Sequence, residues 1–273
     1  MTRVGFIGLG SQGAPMARRI AEAGYETTLW ARREATLEPF ADSGTRVADS
    51  PAALAEASDV VCLCVVGDAD VREVVSGEHG VLAGLTSGGI VVVHSTVHPD
   101  TCRELAEYAA GQGCSLIDAP VSGGGKAAAE GQLLVMVGGP AEATARCRPV
   151  FETYANPVVH LGEVGSGQVA KLLNNLLFTA NLAVAKSAMD LGCGLGIEPA
   201  RLSEVVSRGS ADSYALGRVA LLGNSLDLLA AHGGELLRKD VGLVVEVADA
   251  IGASPGIVLA AADVALHMMD HPR

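Results

Sequence analysis

Long uninterrupted apolar runs are missing from this 273-residue sequence, although about half of its residues are hydrophobic. The richest segment, residues 251–269, is interrupted by Ser254, Pro255, Asp263 and His267, so no stretch of about 18 apolar residues is available to cross a membrane. The chain also lacks an amino-terminal basic segment followed by an apolar run and a cleavage site. We therefore expect a soluble, cytoplasmic protein with no membrane partner.

Basic residues are also scarce. Lys and Arg together number 19 against 31 Asp and Glu, which gives a formal net charge of −12 at pH 7. A surface of this sign repels the phosphates of nucleic acids unless a basic patch is present, and the sequence contains no run of basic residues. We therefore predict no nucleic-acid partner, and an anionic substrate would need its own local positive site.

The six cysteines show no spacing typical of metal ligands. Cys62 and Cys64 lie in the apolar run DVVCLCVV, which is typical of a buried strand. We interpret all six as reduced packing residues and predict no metal site. Internal repeats and low-complexity linkers are missing too, so the length suits two closely packed domains or one large one.

Short apolar runs alternate with helical patterns over the first 160 residues, which is typical of a parallel sheet with crossover helices. The predicted strands are residues 4–9, 27–31, 60–65, 90–94, 115–118, 133–137 and 158–161. After Gly165 the strand signals stop, and the predicted helices are residues 165–194, 199–208, 213–230, 234–251 and 255–269. We therefore predict an α/β Rossmann domain over residues 1–163 and an all-helical domain over residues 164–273, joined through the long helix.

A glycine-rich turn near the amino terminus points to a nucleotide. The segment VGFIGLGSQGAPMARRIAEAG places Gly8, Gly10 and Gly13 in a GxGxxG pattern between an apolar strand and an amphipathic helix. These glycines allow a tight turn, a close approach of the backbone to a pyrophosphate, and close helix–strand packing. The start of the helix then offers free N–H groups and a favourable dipole to the phosphates. We predict that this turn binds a dinucleotide through these glycines and the intervening residues Leu9, Ser11 and Gln12.

The end of the second predicted strand bears on which dinucleotide is bound. NAD sites usually place Asp or Glu there, about 20 residues beyond the glycines, to bind the ribose hydroxyls. This chain has Arg32 and Arg33 instead, two guanidinium groups suited to a 2′-phosphate, and Glu34 begins the next helix. The pattern favours NADP and leaves NAD possible. The alternative is that both arginines are ordinary surface residues at a helix start.

The long predicted helix carries an unusual polar face. Lys171, Asn174, Asn175 and Asn181 are spaced so that they share one side of the helix. Asn is a poor helix former, and a solvated face would more naturally carry Glu, Lys or Gln. The face is therefore interpreted as ligand-binding, with Asn174 among the substrate contacts, and a plain solvated stripe is the alternative.

A second glycine-rich segment follows the strand at residues 115–118. Its residues Ser122, Gly123, Gly124 and Gly125 offer successive backbone N–H groups that can form a concavity for an anion, and Lys126 adds a positive charge nearby. A generic glycine turn would have the same appearance. On these residues alone, both interpretations stay open.

Taken together, these segments resemble the β-hydroxyacid dehydrogenase family, which includes 3-hydroxyisobutyrate dehydrogenase and tartronate semialdehyde reductase. Four segments match in order, across nearly the whole chain: GFIGLGSQGAPMARRI at 5–20, DAPVSGG at 118–124, GQVAKLLNN at 167–175 and KDVGLV at 239–244. The resemblance implies a Rossmann domain followed by a helical domain, assembled as homodimers or homotetramers. It also implies a short β-hydroxyacid, or the corresponding semialdehyde or keto acid, as substrate.

The resemblance also implies roles for individual residues. Lys171 would be the catalytic acid/base, and Asn175 would hold the substrate beside it. The substrate carboxylate or hydroxyl would be bound by Ser122, Gly123 and Gly124. The cofactor would be lined by Val65, Val66, Thr96 and Lys239.

The chain departs from the usual family pattern at three places. The pair at Val65 and Val66 is often Leu-Pro, and Val93 stands where Asp is common. His232 replaces a frequent aromatic seven residues before the Lys-Asp pair. We expect the first two changes to affect packing. His232 is a candidate substrate contact, and the alternative is a surface histidine in a glycine-rich turn.

The expected reaction needs a base for the hydroxyl proton and a hydride acceptor. A lysine with an ordinary pKa of about 10.4 is a poor base near neutral pH, so partial burial should lower the pKa of Lys171. Imine reductases resemble the family and use NADPH, but they generally lack this lysine, and 6-phosphogluconate dehydrogenases have a far longer helical part. A non-catalytic nucleotide-binding module is the other alternative.

Overall fold

A nine-stranded sheet organises the first part of the chain, as seen in a computed structural model that describes residues 2–273. Strands β3, β2, β1, β4, β5 and β6 lie side by side in that order and are all parallel. Strand β8 is antiparallel to β6 and β7 and parallel to β9. The strands are Val4–Ile7 (β1), Thr27–Trp30 (β2), Arg46–Val47 (β3), Val60–Leu63 (β4), Ile90–Val93 (β5), Ser115–Asp118 (β6), Val121–Ser122 (β7), Leu133–Gly138 (β8) and Ala155–Gly162 (β9).

The strand order confirms the predicted Rossmann-type sheet. The chain places β2 and β3 on one side of β1, and then returns to place β4, β5 and β6 on the other side. Ligands of such sheets bind at the carboxyl ends of the strands where the order reverses, which here are β1 and β4. Alternate side chains of β1 point to opposite faces, so that Phe6 and Ile7 belong to two separate apolar cores. Both faces are covered by helices, which explains why the strands were recognisable as continuous apolar runs.

Seven α-helices lie between the first and the last strand along the chain. They are Gly13–Glu22 (α1), Pro51–Glu56 (α2), Asp68–Ser76 (α3), Val81–Gly84 (α4), Pro99–Ala110 (α5), Gly124–Ala129 (α6) and Ala141–Phe151 (α7). The sequence did not predict the strands β3 and β7. Each has two residues, which is too short to show a periodic pattern.

The rest of the chain is helical, as predicted. Its helices are Ser166–Gly194 (α8), Pro199–Val206 (α9), Tyr214–Leu221 (α10), Asp227–Ala250 (α11) and Gly256–Met268 (α12). The predicted division into helices at 213–230 and 234–251 was wrong, because the break falls at residues 222–226 and α11 runs through Gly233 and Gly234. Glycine is tolerated inside a helix at a cost of about 1 kcal/mol, so the pair did not end it.

The chain divides into two compact units, one ending at Lys171 and the other beginning at Leu172. The division lies inside α8, several residues beyond the boundary predicted between residues 163 and 164. Within residues 2–273, none of the helices combines the length and apolar character that a membrane crossing requires.

A histidine is buried at the end of β5. The Nδ1 of His94 lies 2.6 Å from the carbonyl of Ala119, and its Nε2 lies 3.1 Å from the hydroxyl of Tyr154. Because a carbonyl can only accept, Nδ1 carries the proton and Nε2 accepts from Tyr154. Burial lowers the pKa of His94 to about 4 from its usual 6.5, so the folded protein keeps this ring neutral.

This histidine should make the folded state sensitive to acid. Below pH 6.5 the unfolded chain protonates His94 while the folded chain does not, so its contribution to the free energy of unfolding falls as the pH drops towards about 4. At about pH 4.5 the loss should be roughly 2–3 kcal/mol relative to pH 7. This loss of stability is measured by urea unfolding of the wild type and of His94→Gln at both pH values.

We expect the stability gap between wild type and His94→Gln to shrink by that amount at the lower pH, because glutamine does not titrate. The carboxyl of Asp118 has a pKa that burial raises to about 6, so it titrates in the same range with the opposite sign. Its contribution is common to both proteins and cancels in the difference. An equal gap at both pH values would show that His94 is not held neutral.

Candidate functional site

The glycine-rich loop after β1 has the geometry that a dinucleotide site needs. Gly8 has a φ of 96°, and a Cβ there would lie 2.2 Å from the carbonyl oxygen of Cys64. A Cβ at Gly13 would lie 1.9 Å from the carbonyl oxygen of Gly8, so α1 can approach the strand only without a side chain at that position. A Cβ at Gly10 would meet no atom within 4 Å. The loop is therefore tightly packed on the protein side and open at Gly10, which fits a bound pyrophosphate.

The residues between these glycines differ in exposure. Leu9 is buried, Ser11 is exposed, and Gln12 is half-buried immediately before α1. A Cβ at Gly125 would lie 2.4 Å from the carbonyl oxygen of Ser11, so the second glycine-rich segment lies directly against this loop. The structure thus brings together two motifs that are more than 100 residues apart in the sequence.

The loops after β4 and β5 lie side by side at the carboxyl edge of the sheet. The backbone N–H of Val65 donates to the hydroxyl of Ser95 at 2.9 Å. Val65 is half-buried and Val66 is exposed, and Thr96 is half-buried beside the fully buried Ser95 and Val97. These positions are next to the strand-order reversal, where the fold places its ligands.

The two arginines after β2 are both exposed. The guanidinium of Arg32 lies 2.8 Å from the carboxylate of Asp70 and 3.4 Å from that of Glu73, both on α3. The carbonyl of Arg33 accepts hydrogen bonds from the N–H and the hydroxyl of Thr36. Arg32 is therefore held by an exposed ion pair that a phosphate could replace.

The second glycine-rich segment forms a short strand and turn. Ser122 lies on β7 and is half-buried, and the following Gly123 and Gly124 have φ angles of 130° and 74°. Such left-handed conformations are accessible to glycine at little cost and turn the backbone N–H groups into a concavity. Lys126 is exposed and lies 3.9 Å from Glu130, so its charge is partly balanced one turn further on.

The start of α8 is bound to the end of β6. The carboxylate of Asp118 accepts from the backbone N–H of Gly165 at 2.6 Å and from that of Gln168 at 2.7 Å. Burial raises the pKa of Asp118 to about 6, and these donors oppose the shift. The hydroxyl of Ser166, the first residue of α8, donates to the carbonyl of Glu163. The capping group therefore comes from a distant strand, which no local pattern could reveal.

Lys171 lies in the second turn of α8 and is half-buried. It is the last residue of the first unit and follows the buried Gln168 by three positions. Residues at this spacing share one side of a helix. The lysine predicted as acid/base is therefore carried by the helix turn that Asp118 binds to the sheet.

The second unit contains a polar cluster that the sequence reasoning found only in part. Asn174 donates to the side-chain oxygen of Asn175 at 3.0 Å, and Asn175 donates to the carboxylate of Asp240 at 2.6 Å. The ammonium of Lys239 lies 3.0 Å from the same carboxylate of Asp240, which is buried. Two predicted residues, Asn175 and Lys239, thus meet at an acid that had not been singled out, and Asn174 joins the cluster through Asn175. The acid directly after Lys239 in the KDVGLV segment was the available sequence signal.

His232 lies on α11, so its assignment to a glycine-rich turn was wrong. Its ring is exposed, and Nδ1 lies 2.9 Å from the carbonyl of Leu228 one turn earlier. A role in substrate contact stays a prediction.

Comparison with known proteins agrees with this geometry over almost the whole chain. The family model for the NAD-binding domain of 6-phosphogluconate dehydrogenase matches residues 3–162. The model described as the NAD-binding part of NADP-dependent 3-hydroxyisobutyrate dehydrogenase matches residues 165–271.

Individual relatives give the same result. A 3-hydroxyisobutyrate dehydrogenase of Pseudomonas aeruginosa is 36% identical over 261 residues, which cover 93% of this chain and 88% of that protein. An NAD-dependent L-serine dehydrogenase of the same organism is 34% identical, over 93% and 88% of the two chains. The solved Mycobacterium tuberculosis 3-hydroxyisobutyrate dehydrogenase with L-serine superposes with a TM-score of 0.86 at 29% identity, covering 99% of this chain and 95% of the other.

The sheet, the glycine-rich loop and the following helical part define an oxidoreductase that uses a nicotinamide dinucleotide. The chain belongs to the β-hydroxyacid dehydrogenase family, and the resemblance drawn from its four sequence segments is confirmed. Its general reaction is therefore the oxidation of a hydroxyacid or the reverse reduction.

Proposed function

We propose that this protein is an NADP(H)-dependent enzyme that interconverts a short β-hydroxyacid and the corresponding semialdehyde or keto acid, with Lys171 as general acid/base. One observation carries the proposal. Lys171 extends from the helix turn that Asp118 joins to the end of β6, at the edge of the sheet where dinucleotides bind.

In the oxidation, the neutral amine of Lys171 accepts the proton of the substrate hydroxyl. In the reduction, the ammonium form donates a proton to the carbonyl oxygen. The bound nicotinamide supplies the hydride chemistry. A positioned acid/base of this kind contributes about 10²–10⁴-fold to the rate.

Other groups bind and orient the substrate. The backbone N–H groups of Ser122, Gly123 and Gly124 bind its carboxylate or hydroxyl, which the left-handed glycines of this turn support. Asn175 orients the substrate hydroxyl through its amide, and the hydrogen bond to Asp240 fixes the direction of that amide. Asn174 and His232 are the further substrate contacts.

The remaining parts of the proposal follow from the same family. Residues 1–163 bind the cofactor, with Val65, Val66, Thr96 and Lys239 lining it, and residues 164–273 bind substrate and form the oligomer, a homodimer or homotetramer. Exposed apolar side chains along α8 support an interface between copies: Leu173, Leu177, Val184 and Leu191. We place the enzyme in the cytoplasm, with its six cysteines as free thiols.

A substrate panel tests the function. Short β- and γ-hydroxyacids and their semialdehydes are assayed with NADP(H) and NAD(H), together with a cyclic imine. We expect turnover on β-hydroxyacids of three to five carbons, with NADP giving the higher kcat/KM. Turnover of the imine alone would assign an imine reductase. Tight dinucleotide binding without turnover of any compound would leave a nucleotide-binding module.

A further inference from the structure

Gln168 lies in the first turn of α8 and is completely buried, although its side chain is polar. Its Nε2 donates to the carbonyl of Ser95 at 2.8 Å, and its Oε1 accepts from the backbone N–H of Val97 at 3.1 Å. Because that carbonyl can only accept and that N–H can only donate, a single orientation of the amide satisfies both. The side chain therefore bridges the two residues on either side of Thr96.

The bridge extends to two further loops. The hydroxyl of Ser95 accepts from the N–H of Val65, which follows β4, and the N–H of Gln168 donates to Asp118 at the end of β6. Ser95, Asp118 and Gln168 are all buried, so each bond is shielded from competing water. One glutamine thus connects the carboxyl ends of three neighbouring strands to the start of α8.

We propose that Gln168 is a positioning residue for hydride transfer, which fixes the backbone around Thr96 relative to the helix turn that carries Lys171. The inference rests on the proposed function, in which Thr96 approaches the nicotinamide and Lys171 exchanges the proton. Lys171 follows Gln168 by three residues, so both belong to one side of the same turn. A side chain without donor and acceptor would leave the Ser95 carbonyl and the Val97 N–H buried and unpaired, and the loop would move to regain partners.

The first test uses the protein without cofactor. In Gln168→Met, which keeps the length of the side chain, hydrogen exchange at the Val97 amide should accelerate at least roughly tenfold, because its acceptor is gone. The matched control is Ser58→Ala, which removes another fully buried bond, from the Ser58 hydroxyl to the Leu54 carbonyl at 2.7 Å. That variant should leave exchange at Val97 unchanged.

The second test is kinetic. With Gln168→Met, kcat should fall roughly 10–100-fold while the KM for the hydroxyacid stays within about threefold, because misplacement by about 1 Å is enough for such a loss. The kinetic isotope effect with the hydroxyacid deuterated at its carbinol carbon should rise as hydride transfer becomes slower than the other steps. Ser58→Ala should change neither quantity.

A second variant keeps the inference testable if Gln168→Met does not fold. The carboxyl introduced by Gln168→Glu can accept from Val97 in either form, but it can donate to the Ser95 carbonyl only when protonated. Its rate relative to the wild type should therefore recover as the pH falls from about 8 to about 6, whereas the relative rate of Gln168→Met should stay constant. A purely structural role would change the melting temperature without this pH dependence.

The inference is overturned if both Gln168 variants keep wild-type kcat, isotope effect and Val97 exchange. Failure of the proposed function is distinguishable from this result. If the wild type binds NADPH but turns over no hydroxyacid, the exchange at Val97 and the fluorescence of bound reduced nicotinamide still report whether Gln168 positions the loop. A fluorescence spectrum in Gln168→Met identical to that of the wild type, with unchanged exchange, would also refute it.

Discussion

Replacing Lys171 with alanine should lower kcat by roughly 10²–10⁴-fold and leave the affinity for the dinucleotide within about threefold of the wild type. The reason is that the substitution removes the group that exchanges the substrate proton but leaves the glycine-rich loop after β1 untouched. Steady-state turnover of the best hydroxyacid gives the first quantity. Titration of the fluorescence of the reduced cofactor gives the second.

The same helix offers a matched control. Lys186 also lies on α8 and pairs with Asp190 at 2.6 Å, four residues further along. Lys186→Ala removes an equal charge and a similar volume, and it should keep kcat within about twofold, because Lys186 bonds to Asp190 on its own helix and i,i+4 pairs near the surface contribute little. Near-wild-type rates for Lys171→Ala would mean that another residue is the acid/base. Equal losses in both variants would point to a general defect of the helix.

Arg32→Asp should weaken NADP binding roughly 100-fold while NAD binding stays within about threefold. The substitution removes a guanidinium that can bind the 2′-phosphate and introduces a carboxylate that repels it. The same carboxylate can accept a ribose hydroxyl, as in NAD sites. Dissociation constants for both dinucleotides, measured at one ionic strength, give the selectivity directly.

The ion pair of Arg32 provides a further check. Because Asp70 and Glu73 compete with a phosphate for the same guanidinium, Asp70→Asn should tighten NADP binding a few-fold and leave NAD unaffected. Arg146→Asp is the control for net charge. Arg146 donates to the carbonyl of Gly88, which precedes β5 and so lies at the amino ends of the parallel strands, opposite the ends where the dinucleotide binds. If Arg32→Asp and Arg146→Asp shift both dinucleotides equally, Arg32 does not select the cofactor.

Much of the fold could be predicted because the strands are buried on both faces. Seven of the strands coincide with apolar runs that were recognised from the sequence, with ends that differ by up to three residues. The errors have local causes: β3 and β7 are too short to show periodicity, and Gly233 and Gly234 look like a helix end but lie inside α11. Tertiary packing can stabilise a helical turn that contains glycine, despite the weak helix propensity of glycine.

Site residues could be predicted where the backbone conformation or packing at a position requires one residue type. Gly8 and Gly13 are required because a Cβ there would lie 2.2 Å and 1.9 Å, respectively, from a carbonyl oxygen, so their pattern is visible in the sequence. Asp118, Gln168 and Asp240 were not predicted as a group, because their hydrogen-bond partners lie 47 or more residues away and any short polar motif could carry them.

The sequence by itself determined the family, the glycine-rich dinucleotide loop and the presence of Lys171 and Asn175 on one helix, because each is recognised from short segments whose residues are adjacent or nearly adjacent in the chain. Only the tertiary structure decided what holds those residues in place. Parallel strands bring the carboxyl ends of β4, β5 and β6 side by side. There the buried side chains of Ser95, Asp118 and Gln168 bond to the backbone groups of Val65, Gln168 and Ser95, respectively. Buried polar groups must find partners, and those partners are fixed by packing between distant segments.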